Sequence, residues 1–179
     1  MKSVVLAAVV LLMPALARAQ AETPTTSSEL FNPALQQAFT QAMDRLKASG
    51  GSVDDKVVGV QDIGKYNVAV AVVARPAGTS QNSLVHDKIT EIYYVVRGSG
   101  TQVTGTMVNG TRTERPSATI GPGMSSSTPI AHAKSTKLGP GDIQIIPPGV
   151  AHGFTSIDAG GIEYLVFRID PEHVVSMQP

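Results

Sequence analysis

From Gly51 onward the chain loses helical periodicity and becomes a succession of short β-type runs separated by turn residues. The runs cover residues 57–62, 66–75, 91–97, 101–108, 130–137, 143–146, 151–156 and 162–169 and are rich in Val, Ile, Thr and Tyr. Gly, Pro, Asn and Asp lie between them. β-Branched and aromatic residues suit a pleated, half-buried surface, and the turn formers interrupt it. Many short strands at even spacing, with no helices between them, predict an antiparallel sandwich or barrel and exclude a βαβ arrangement. Asn109-Gly110 predicts a hairpin turn. Residues 112–128, with two Pro, two Gly and many Ser and Thr, predict a long irregular excursion. No internal repeat is present, so one all-β barrel over residues 53–170 is expected.

One helix precedes the strands. Leu35, Ala38, Phe39, Ala42, Met43 and Leu46 follow the i, i+3, i+4, i+7 spacing of an amphipathic helix, with Asn32 as N-cap, Pro33 in the first turn and Gly50-Gly51 as the stop. Its apolar stripe is expected to pack on the outside of the domain or on a second subunit. Residues 21–28 read as a flexible leader and residues 171–179, with His173, as a polar mobile tail. Ahead of the leader, Lys2, the apolar run 4–12, Pro14 and Ala17-Arg18-Ala19 form the pattern of a cleavable signal over residues 1–19. That run is too short to cross a bilayer of about 30 Å as a helix. The chain is therefore expected to be secreted or periplasmic, with no membrane partner after cleavage.

Without residues 1–19 the chain has 12 basic residues (14 less Lys2 and Arg18) against 14 acidic ones, a net charge of about −2. With no basic block, neither nucleic acid nor an anionic membrane surface is a plausible partner. The chain has no cysteine. Disulfides, thiolate nucleophiles and thiolate metal sites are excluded, and any metal must be held by nitrogen and oxygen. No phosphate-binding glycine loop and no G-x-S-x-G elbow is present.

Two stretches carry the chemistry. The first runs Gly78, five residues, Leu84, one residue, His86, four residues, Glu91, six residues, Gly98. The second runs Gly141, five residues, Pro147, one residue, Gly149, two residues, His152, three residues, Ser156. Together they resemble the two motifs of the cupin superfamily. Leu84 stands where the first motif has its first His, and Ser156 where the second has Asn. The resemblance covers about residues 57–170 and implies a jelly-roll, double-stranded β-helix barrel. It further implies that His86, Glu91 and His152 ligate a metal. Two imidazoles and a carboxylate suit divalent Fe, Mn, Zn or Ni. The missing imidazole at Leu84 weakens that expectation, and some cupins have lost the metal.

Strand alternation supports the convergence, because residues two apart share a face of a small barrel. Leu84 with His86, Glu91 with Tyr93 and Val95, and His152 with Phe154 and Ser156 are expected to point inward, while Gly98 and Gly149 permit tight turns. The alternative to a metal is a hydrogen-bonded polar cluster in a barrel without one. His132 is a candidate for the absent imidazole, or a solvent-facing side chain. Arg168 is a candidate clamp for a substrate carboxylate, or a surface partner of Glu163 or Asp170. Three functions follow: a metal-dependent dioxygenase, isomerase or lyase acting on a small polar molecule; a small-molecule binding module; or a metal-free structural protein. The resemblance also brings the expectation of a homodimer, to which the helix could contribute.

Overall fold

The computed structural model of the protein describes residues 27–113 and 120–175. The expected signal at residues 1–19 lies outside them. Among the described residues a helix, α1 (Asn32–Ser49), precedes nine strands: β1 (Asp54–Asp62), β2 (Asn67–Arg75), β3 (Ser83–His86), β4 (Thr90–Thr106), β5 (Thr111–Thr113), β6 (Gly123–Ser126), β7 (Ala131–Leu138), β8 (Ile143–Ile146) and β9 (Ala151–Asp170). All pairings are antiparallel, in the order β1-β2-β9-β3-β6-β5, with β4 joining β7, β8 and β9. The all-β jelly roll with one helix is as the sequence implies.

The Val/Ala run of β2 is buried on both faces. Ala69, Ala71 and Val73 face the barrel interior with Tyr93, Val95, Tyr164 and Val166. Val72 and Ala74 face outward and are covered by Phe39, Ala42 and Leu46 of α1. The apolar stripe of the helix is thus buried on the outside of its own barrel. Phe31, not Asn32, is the N-cap and makes no side-chain cap bond; Asn32 is the first helical residue, and its Oδ1 accepts from Gln36 Nε2 at 3.2 Å. Gly50 closes the helix in the left-handed region at φ +65°.

Five further expectations are corrected. The breaks anticipated after residues 97 and 156 are bends inside the long strands β4 and β9, not strand ends. Gly98 is therefore not in a turn. It lies at φ +70° where β4 crosses β9, and a Cβ there would come within 2.0 Å of the Gly161 carbonyl oxygen. The chain bends at Val108-Asn109, with Asn109 at φ +53°. It does not make a hairpin, because both edges of β4 are already occupied by β7 and β9; β5 pairs with β6 instead. Those two strands, with β3, give order to part of the region expected to be irregular. Finally, the tail is pinned as far as Val175, which is buried while its amide and that of Val174 donate to the Asp170 carboxylate.

Candidate metal centre

The two motif strands meet directly. Leu84 lies opposite His152 across β3 and β9, and the Gly149 amide donates to the His86 carbonyl at 2.9 Å. Gly149, at φ +80°, makes the turn that allows this approach. Glu91 begins the inward column of β4, with Tyr93 and Val95 on the same face, as alternation requires. His86, Glu91 and His152 are all buried, and one donor atom from each lies within 4.8 Å of the other two.

Glu91 is the hub. Its Oε1 accepts from Arg168 Nε at 2.9 Å, and its Oε2 accepts from the Tyr93 hydroxyl at 3.0 Å. The same Oε2 lies 3.4 Å from His86 Nε2 and 3.6 Å from His152 Nε2. Burial pushes the Glu91 carboxyl up. The His86 hydrogen bond, the Arg168 charge and the two imidazoles outweigh that and hold it well below the ordinary carboxylate range, so it is ionised. Burial pushes His152 down to about 4, so that ring is neutral at pH 7. Its Nδ1 lies 3.1 Å from the Val150 carbonyl and donates to it, which leaves Nε2 as a lone pair directed into the cluster. That Nε2 is buried and has no hydrogen-bond partner among the described residues.

The cluster lines a cavity of about 510 Å³. Of the side chains expected around it, Leu84, Tyr93 and Arg168 are on its wall. Arg168 pairs with neither Glu163 nor Asp170. It is fully buried and bridges Glu91 and Asp55, the latter through Nη2 at 2.5 Å. Two expectations fail, Phe154 and Ser156 as cavity-lining side chains, and for His132 the solvent-facing alternative holds. Phe154 points inward but lies behind the cavity, packed on Tyr164 at 5.7 Å between ring centres. Ser156 is exposed, because a bulge at Thr155 places Ser156 opposite Thr101 and Phe154 opposite Gln102, and Ile157 takes the inward place. His132 is exposed at φ +52° on β7 and does not reach the cavity.

The sequence reading missed Asp55, Arg75 and Tyr164 on the same wall. Arg75 and Tyr164 were open to inference, since each continues an inward alternation (residues 69, 71, 73 and 75 on β2; 162, 164, 166 and 168 on β9). Asp55 carries no such signal, because it lies before the run that marks β1.

Several solved structures superpose on part of the chain. KdgF from Halomonas sp. superposes with a TM-score of 0.42 at 15% identity, covering 65% of this chain and 80% of that one. An uncharacterized conserved protein with a double-stranded beta-helix domain from Klebsiella pneumoniae gives 0.46 at 20%, covering 69% and 75%. The DMSP lyase DddQ from Ruegeria pomeroyi gives 0.42 at 19%, covering 68% and 48%. Likenesses this distant bear on neither activity nor ligand. No curated protein matches the sequence. The family described as Cupin matches residues 36–178, a span that includes both motifs and every strand, and the chain belongs to that family.

Proposed function

We propose that this cupin is exported and holds a divalent metal between His86, Glu91 and His152, where it binds or transforms a small polar molecule admitted to the cavity. One observation carries the reading. The unprotonated Nε2 of His152 faces the ionised Oε2 of Glu91 at 3.6 Å, two lone-pair donors turned toward each other in a buried place. A proton between them would make a buried imidazolium, which desolvation opposes. A cation satisfies both, and the nitrogen and oxygen donor set fits one. When bound, the metal supplies Lewis acidity toward a ligand oxygen. The protein's own groups supply the rest: Tyr93 and Arg168 fix the carboxylate, and the Val150 carbonyl fixes the His152 tautomer.

A metal-free ligand-binding cupin is the second reading, favoured by the Arg168–Glu91 pair, which already neutralises the carboxylate. Elemental analysis of the protein purified from its own compartment decides between them. The expected result is near-stoichiometric metal in the wild type and none in His152→Ala, with a mature chain beginning near Gln20 by N-terminal sequencing. Wild-type protein that stays metal-free in metal-replete medium would refute the metal centre, and an uncleaved cytoplasmic chain would refute export.

A further inference from the structure

Two guanidinium groups face the cavity, and their surroundings differ. Arg168 is matched by Glu91 and Asp55. Arg75, only 6% exposed, has no carboxylate partner among the described residues. Its Nε donates to the Tyr164 hydroxyl at 3.0 Å, and its guanidinium carbon lies 5.6 Å from the centre of the Phe154 ring. A phenol and a phenyl face hold the group in one orientation without neutralising it. Guanidinium presents further N–H donors in a planar fork that matches a carboxylate.

Charge strengthens the point. Arg75 and Arg168 balance Glu91 and Asp55 around the cavity, so a divalent metal beside Glu91 leaves an excess of two positive charges. Nearly buried charges without counter-charges are costly, and an anion entering the cavity relieves both. We propose that the ligand of this cavity is a small carboxylate, and that Arg75 is the group that docks it. The inference rests on the reading above for the cavity being the ligand site, but it does not require the metal.

Calorimetric titration of the whole purified protein with oxalate, malonate, succinate and benzoate, and with malonamide as neutral counterpart of malonate, tests it. At least one carboxylate is expected to bind the wild type. Malonamide should bind at least about tenfold more weakly than malonate, and Arg75→Gln should weaken carboxylate binding at least about tenfold, with Arg75→Lys intermediate. If Arg75→Gln does not fold, Arg75→Lys and the comparison of malonate with malonamide carry the test. Absence of binding by every carboxylate, equal binding of malonate and malonamide, or indifference to Arg75 would each overturn the proposal. Repeating the titrations after chelation separates the two claims. Carboxylate binding that depends on Arg75 in a protein without metal would sink only the metal centre. Normal metal content with binding indifferent to Arg75 would sink only the carboxylate dock.

Discussion

Arg168→Met tests the wiring of Glu91 most directly. Methionine has similar length, so packing is largely kept while the cation is lost. The pair is fully buried, with Arg168 at 1% and Glu91 at 2% exposure, and removing one member leaves the other charge in the interior without its partner. Breaking such a pair costs about 3–5 kcal/mol. Asp55 is 29% exposed, so its lost contact adds little. For a chain of this size each kcal/mol moves Tm by about 2–4 °C, which predicts a fall of roughly 6–20 °C at pH 7 in chelator. The pH dependence has a definite sign. In the wild type the Glu91 carboxyl is depressed, so its contribution is present above the unfolded value of about 4.3 and is lost as pH falls. Without Arg168 one of the influences that lower the carboxyl is lost and it rises, so the penalty present at pH 7 shrinks as Glu91 takes up a proton at a higher pH than in the wild type. The gap between the proteins should therefore narrow toward pH 4, and Glu91→Gln in the Arg168→Met background should restore most of the loss at pH 7. A loss below about 1 kcal/mol in urea denaturation, a gap that does not change with pH, or a double variant weaker than the single one would refute the reasoning.

Other perturbations have equally specific outcomes. Leu84→His, opposite His152 on the cavity wall, should tighten metal binding about tenfold or more by competition with a chelating dye; unchanged affinity would mean that the side chain does not reach the cluster. Phe39→Ala should cost about 3–5 kcal/mol in chemical denaturation while metal content stays at the wild-type level, since Phe39 belongs to the layer between α1 and β2. Gly98→Ala should cost roughly 2–6 kcal/mol, with both the left-handed φ and the Gly161 carbonyl against it. Gly141→Ala, at φ +88° with nothing near the added carbon, should cost only about 1–2 kcal/mol.

The sequence revealed the site well where alternation ran undisturbed and poorly where it did not. Glu91, Tyr93 and Val95 keep phase along β4, and the two histidines reach the same place because turn glycines and strand pairing bring the motifs together. Ser156 failed because a single bulged residue reverses every side chain beyond it, and nothing in Thr155 announces a bulge. Gly98 and the break before residue 162 read as strand ends, yet β4 and β9 continue through them, the β4–β9 register skipping Ser99 and residues 158–161 and resuming on either side. Strands β5 and β6 are short and made mostly of small polar residues, so only their partners define them. Arg168 was legible as important and not as buried, because the carboxylates that meet its charge come from strands far away in the chain.

Two features of the centre act on metal affinity in the same direction. Leu84 withdraws one donor, and Arg168 places a positive charge on the far oxygen of the carboxylate that remains, which reduces its attraction for a cation. Both leave a site in which the metal gains from any negative charge brought into the cavity. Arg75, on the same wall, has no carboxylate partner among the described residues. A carboxylate ligand meets both needs at once, so metal and anion should each raise the affinity for the other by the same factor, as linkage demands. Metal titrations with and without saturating malonate measure one side of that coupling, and malonate titrations with and without metal measure the other. Equal factors well above one would show that metal and dock work as a single centre. A factor of one would mean that the two lie in the same cavity without acting on each other.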